Sequence, residues 1–422
     1  MIIPLRASTA LWLGGPVAIA FVVWTVNGNG GWVAAPYWDD LVARAGLGLG
    51  LALPLAAAIA AWESNRFLAH GTQKFPGMWM HSRARVMVGL AVPILGSVVL
   101  GYVLALFGLL IVNGVPTGAP SPAVPVAFLC MTAAATAAGM LAGRYLPRAI
   151  AATVSAVAVF SWATFPQMDG NNLSWRNITG FSLWDSAFSP YFVSDGRAVT
   201  AASILALVLM VAFGAIASLR SGLRPLAASA ITLTAVAAIV AAVTGAIGVA
   251  EGTKPYPYAH RSSDDLQCSE QYKTCLWPEL TATSPQLGKT LSQWRARLTS
   301  SGIEVPPQIT SVAPESASMD TAATHVFFAN PPRTASYAAS VYVYSLVWSD
   351  VCQGFVDNEE AEMVAISATS GYSFALGISA KDFAVHTQSP EPGIEPEQPI
   401  TTIADAKNAI ASWNDYVSEQ CL

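Results

Sequence analysis

VMVGLAVPILGSVVLGYVLALFGLLIV, residues 86–112, carries no charged side chain in 27 positions. As an α-helix rising 1.5 Å per residue it is about 40 Å long, more than the roughly 30 Å hydrocarbon core of a bilayer. Its apolar positions fall all round the helix, as burial in lipid or within a bundle requires. Runs of the same kind recur at 10–26, 41–62, 123–146, 149–165, 199–219 and 225–250. The expectation is about seven transmembrane helices, all before residue 251. Gly46, Gly48, Gly50, Pro54 and Pro93 inside the runs are residue types commoner in membrane helices than in soluble ones. In GMLAG, residues 139–143, Gly139 and Gly143 stand four apart and fit the small-xxx-small helix-packing pattern. The first run has a second reading as a signal peptide, with Arg6 ahead of it and VAA at 33–35 as the cleavage site.

Composition agrees. The 422 residues are 53% hydrophobic and 11% charged, where a soluble domain is about 25% charged. Mean hydropathy is +0.47. The charge is uneven: residues 1–250 hold twelve Lys/Arg and six Asp/Glu, a net of +6. Residues 251–422 hold nine and twenty, a net of −11. A greasy, slightly basic front is joined near Glu251 to an acidic back of ordinary polarity.

Lys and Arg mark cytoplasmic loops when counted in short connectors. With the N-terminus inside, the inner segments hold Arg6, Arg66, Lys74, Arg83, Arg85, Arg144, Arg148, Arg220 and Arg224. The outer segments hold only Arg44, Arg176 and Arg197, and Arg44 has Asp40 four residues earlier as its expected partner. Nine against three places residues 251–422 outside a plasma membrane. Cysteine points the same way. Cys130 lies in a span, whereas Cys268, Cys275, Cys352 and Cys421 all lie in the back domain, which fits two disulfides in an oxidising compartment. Three pairings are open. Cys268 with Cys275 and Cys352 with Cys421 is the preferred one, and the spacing matches no familiar zinc pattern.

Between the second and third spans lies WESNRFLAHGTQKFPGMWMHSRAR, residues 62–85. A link between helices usually takes two to eight residues, and this one is longer and has its own organisation. ESNRFLAHG looks helical with Gly71 as its stop, a turn follows at Phe75-Pro76-Gly77, and MWMH then presents Met78, Trp79 and Met80. Large apolar groups in an otherwise basic connector point to a bound partner or to lipid headgroups.

This layout resembles the membrane subunit of an ABC-type exporter of the second export class, its actinobacterial members above all. The resemblance covers residues 1–220 and rests on topology and on the texture of the 63–85 connector. It implies that the connector is a coupling element docking onto a separate cytoplasmic ATPase. Glu63, Arg66, Phe67, Leu68, His70 and Gly71 would form its helix, with Lys74 and Trp79 in the completing segment. It also implies a second permease copy or paralogue as partner. ATP and Mg would be bound by the ATPase and no cofactor by this chain, and no nucleic-acid partner is expected. The chain departs from the family in its short tail before the first span, its seventh span and its outer domain. The outer loop 166–198 is rich in aromatics (Trp175, Trp184, Phe188, Tyr191, Phe192) and fits re-entrant helices or an interfacial aromatic belt equally.

No catalytic chemistry emerges. LGKT at 287–290 ends like a P-loop, but Thr283 stands where the motif needs Gly, and SPQLGKTLSQWRARL reads as a capped amphipathic helix. His70, His81, His260, His325 and His386 are scattered, and acids are essentially absent from the predicted spans. The last point favours energy from a partner ATPase over ion coupling. In the back domain helices are expected at 285–300 (ended by Gly302), 337–355 and 402–420, the last with a Thr/Asp-rich cap; the Val/Tyr alternation of 337–355 also fits a strand, and 388–400 reads as a Pro/Glu-rich linker. The expected fold is therefore an all-α polytopic membrane protein carrying a mainly α or α+β, disulfide-containing extracytoplasmic domain. The alternative function is a membrane-anchored extracytoplasmic ligand-binding or sensor protein without transport.

Overall fold

The computed structural model describes residues 37–66, 83–116, 119–168, 177–180, 192–219, 225–250, 258–311, 323–326, 335–348, 359–377 and 400–421, with short helical pieces at 18–19, 22–23 and 25. The chain divides into two compact units, the first ending at Ala259 and the second running from His260 to Leu422. The boundary falls within nine residues of the change in composition at Glu251.

The first unit is helical. Its elements are α1 (Trp38–Ala45), α2 (Leu49–Ser64), α3 (Arg83–Asn113), α4 (Ala123–Tyr145), α5 (Arg148–Met168), α6 (Gly196–Ser218) and α7 (Pro225–Ala250). Five helical stretches are long and apolar enough to cross a membrane: Trp38–Ser64, Arg85–Asn113, Ala123–Tyr145, Gly196–Ser218 and Leu226–Ala250. They mark the chain as a polytopic helical membrane protein. Seven were expected. The first expected span, 10–26, lies mostly outside the described residues. The fifth coincides with α5, whose apolar stretch Arg148–Thr164 is shorter than those five. The outward faces of α3 and α7 carry exposed Val99, Phe107, Ile111, Leu233 and Val240, which lipid tolerates and water would not.

The span Trp38–Ser64 is longer at both ends than the apolar run 41–62. A 3₁₀ turn over Gly46–Gly48 separates α1 from α2 without ending the span, at residues with poor helix propensity. The Tyr102 hydroxyl of α3 donates to the Val42 carbonyl in the turn before it, at 3.1 Å. Because the span is longer, it takes in three acids, Asp39 and Asp40 near its start and Glu63 near its end, of which Asp40 and Glu63 are buried. The expectation that the spans lack acids is corrected accordingly: it holds for the middle of this span and fails at its ends.

The core of the unit forms where α4 packs against α2 and α6, and α2 against α5. Gly139 and Gly143 make the α2–α4 contact possible. A Cβ on Gly139 would fall 2.8 Å from the carbonyl carbon of Ala57, and one on Gly143 2.8 Å from that of Ala61. The small-xxx-small pattern is thus a true backbone-to-backbone contact, matched by a second small pair on α2. Buried Thr132 and Thr136 satisfy their hydroxyls on the carbonyls one turn back, at 2.8 and 2.7 Å.

The second unit is α+β. Its strands β1 (Gln267–Ser269), β2 (Thr274–Leu276), β3 (Gln308–Thr310) and β4 (Ala323–His325) form one sheet in sequence order. β1 and β2 are antiparallel, and β2, β3 and β4 run parallel. The β2-to-β3 connection carries α8 (Pro278–Thr283) and α9 (Leu287–Ser300), as a parallel crossover needs. α10 (Ala335–Trp348), α11 (Glu359–Leu376) and α12 (Ile403–Cys421) complete the unit, with α11 and α12 in extensive contact.

Three expected helices are present with shifted ends. α9 stops as foreseen at Gly302, which takes φ 73°. The amide of Ile303 donates to the Leu298 carbonyl and that of Gly302 to Thr299, at 3.0 and 2.9 Å, the paired bonds of a Schellman end. Its start differs from expectation, because Gln286 makes no side-chain cap. Gly288, Lys289 and Thr290 lie in its first turn, with α8 and no strand immediately before them. α12 has the expected cap: the Thr402 hydroxyl accepts from the Asp405 amide at 3.1 Å, and the Asp405 carboxylate accepts from the Thr402 amide at 2.9 Å. Arg261, stacked 4.6 Å over Trp277, bonds buried Glu279 at 3.0 Å. Tyr342 is fully buried beside Trp294, and burial pushes its phenol well above the usual range despite the counteracting charge of Arg295.

Candidate functional site

The last turn of α2 and the residues after it, Trp62-Glu63-Ser64-Asn65-Arg66, form the root of the 63–85 connector. Asn65 and Arg66 widen into a π turn, a geometry frequent at functional sites. The carbonyls that close α4 beside it have no donor left within their own helix. Here the two ends meet. The Ser64 hydroxyl donates to the Met140 carbonyl at 2.8 Å. The Asn65 amide nitrogen donates to the carbonyls of Gly143, at 3.0 Å, and Leu146, at 2.9 Å.

The sequence explains this register. Ala57, Ala61 and Asn65 recur every four residues and so share one face of α2. Gly139 and Gly143 let that face approach the backbone of α4, and Asn65 arrives one turn later where α4 runs out of internal donors. Both partners of the bond are buried, so Asn65 is held in a low-dielectric place where its amide has no water to turn to.

Two arginines extend the seam. Arg148 opens α5 with its guanidinium carbon 3.4 Å from the ring centre of Trp62, a cation–π contact between α5 and α2. Arg144, in the last turn of α4, donates to the Ala217 carbonyl in the last turn of α6. Arg144 and Arg66 also place positive charge at helix C-termini, where the macrodipole favours it. Four helix ends are therefore joined on one face of the unit.

The predicted coupling residues divide. Glu63 is fully buried, 3.9 Å from the Arg66 guanidinium, which is 39% exposed. Glu63 thus belongs to the seam rather than to a surface. Phe67, Leu68, His70, Gly71, Lys74 and Trp79 lie outside the described residues. Of the cysteines, Cys268 and Cys275 are disulfide-bonded across directly opposed positions of β1 and β2. Cys352 lies outside the described residues, as does the side chain of Cys421, while Cys130 is free.

No family model, no curated protein and no solved structure matches this chain. The site must be judged on its own geometry.

The opposite face of the unit holds a second polar group. Asp40 accepts from Arg44 at 2.6 Å, the expected pair one turn apart, and its other oxygen has no hydrogen-bond partner among the described residues. Asp39 accepts from the Ser194 amide at 3.1 Å, tying the start of α1 to the chain just before α6. Among the described residues no group of three or more His, Cys, Asp or Glu gathers around a possible metal position. What this seam offers is a bonded and stacked joint between the end of α2 and three other helices. Sequence reasoning missed Ser64, Asn65 and the reach of Arg144. The only available signal was the four-residue spacing of Ala57, Ala61 and Asn65.

Proposed function

We propose that this chain is the membrane subunit of an ATP-driven exporter, working with a separate cytoplasmic ATPase and a second permease copy or paralogue. The observation that carries the proposal is the joint at the connector root. A partner pushing on residues 67–82 acts on a helix whose end is bonded to α4 and stacked on α5, so the load passes directly into the bundle. The excess of Lys and Arg in the segments on this side argues that it is cytoplasmic in a plasma membrane, with the second unit outside. Neither buried acid lies mid-span, where an ion-coupled carrier binds its ion.

The test is a pull-down of the full chain from its native membrane in mild detergent. An ATP-binding-cassette subunit is expected to co-purify. Replacing residues 67–79 by a Gly/Ser linker is expected to release it while leaving the chain folded. Retention of the ATPase by that variant sinks the coupling role. Orientation is checked on intact cells with an impermeant amine label, which is expected to reach Lys289 and miss Lys74.

A second reading draws on the outer unit, which has its own sheet and buried core. A membrane-anchored ligand-binding or sensor protein requires such a unit and no motor. It predicts that no ATPase accompanies the full chain.

A further inference from the structure

The connector and the transmembrane bundle meet through very few side chains, and their chemistry is specific. Ser64 and Asn65 each donate to carbonyls of α4, a helix they do not belong to. Asn65 sits in the π turn where the chain leaves α2, so its side chain holds the first residue of the connector that is no longer fixed by a regular helical ladder. Its two acceptors straddle the end of α4, Gly143 within the last turn and Leu146 just past it. A group so placed holds α2 and α4 in one relative position, and any tilt of one helix is carried to the other. Arg144 passes the constraint on to α6.

We propose that Ser64 and Asn65 are the positioning residues that transmit connector movement to α4. They make no contact with nucleotide or substrate. The inference rests on the exporter reading. In that setting the clamp is the step between ATPase docking and rearrangement of the spanning helices. Neither residue is needed to hold the ATPase itself, because both are buried against α4.

The experiment uses the full chain with its co-purified ATPase in lipid nanodiscs, followed by hydrogen–deuterium exchange with and without ATP plus vanadate. In the wild type, trapping is expected to change exchange in the connector and across Ala123–Tyr145. Asn65→Asp keeps the side chain's shape and removes its donor, placing a carboxylate against two carbonyls. It is expected to retain the ATPase and the connector response while the nucleotide-dependent difference in α4 is lost. Ser64→Ala is expected to weaken that difference, and Ser64→Thr, which keeps the hydroxyl, to restore it. A merely structural role would shift α4 exchange equally with and without nucleotide.

Persistence of the wild-type difference in Asn65→Asp overturns the clamp, and so does loss of the ATPase from that variant, which would make Asn65 a docking residue. If the wild-type chain carries no ATPase, the exporter reading fails first and takes the clamp with it. These results are told apart by whether the unmodified chain brings the motor down.

Discussion

The two units of this chain solve the packing problem with different materials. In the membrane unit the α2–α4 contact is built from residues with almost no side chain, Gly139 and Gly143 against Ala57 and Ala61. In the second unit the core is built from large groups, with Trp277, Tyr342, Leu280, Leu291 and Leu298 all buried. The solvent accounts for the difference. Lipid tails are as apolar as leucine, so burying a large side chain between two spanning helices gains little. Close backbone approach and satisfied polar groups take over. In water the same burial stabilises by about 25 cal/mol per Å², and bulk is favoured. Polar side chains differ in use as well. In the membrane unit Ser64, Asn65 and Arg144 bond carbonyls of neighbouring helices, whereas in the second unit Thr402 and Asp405 cap their own helix.

The contrast can be broken by putting the wrong material in either unit. Gly143→Leu forces a side chain into the Ala61 backbone and is expected to cost more than about 3 kcal/mol, or the folded unit itself. Thermal unfolding in detergent measures it. Gly245→Ala, where nothing stands within 4 Å of the new methyl group, is expected to be neutral or to stabilise by up to about 1 kcal/mol. Equal losses at the two glycines would remove the claim that close approach holds α2 to α4.

In the second unit the largest loss is expected from deletion of bulk. Leu291→Ala, at a fully buried position, is expected to destabilise that unit by about 3 kcal/mol and to leave the membrane unit's melting unchanged. Replacing Cys268 and Cys275 together by Ser removes a link closing a short hairpin. It is expected to cost about 2 kcal/mol. A membrane unit that melted earlier in either variant would contradict the division into two cores.

The smallest expected effect belongs to Asp405. Hydrogen bonds from Thr402, and then from Thr401, hold its carboxyl below the ordinary value of 3.8. A folded value lower than the unfolded one means that the stabilisation is complete above about pH 4 and is lost as pH falls through the lowered value. Asp405→Asn is therefore expected to expose α12 slightly to amide exchange at neutral pH and to match the wild type in strong acid. A gap between the two that widened on acidification would reverse the sign.

Legibility followed the same division. The spans, the change of material near Glu251 and the cap and stop of the second unit's helices are local properties. Hydropathy over some twenty residues, a Thr-x-x-Asp spacing and a glycine after a periodic run all act within one element, so the amino-acid order alone determined them. The glycine pair was also readable, although its partners Ala57 and Ala61 were hidden among many alanines.

The register between elements was not readable. Asn65 has the same local surroundings whether its amide meets Gly143 or water, and Glu63, placed in the coupling element by the resemblance, is buried. Only the packing of α2 on α4, α4 on α6 and α5 on Trp62 decided which polar groups were buried and joined. A side chain's hydrogen bond to a carbonyl 78 positions away along the chain depends on how whole helices settle against one another, and no window of sequence contains that information.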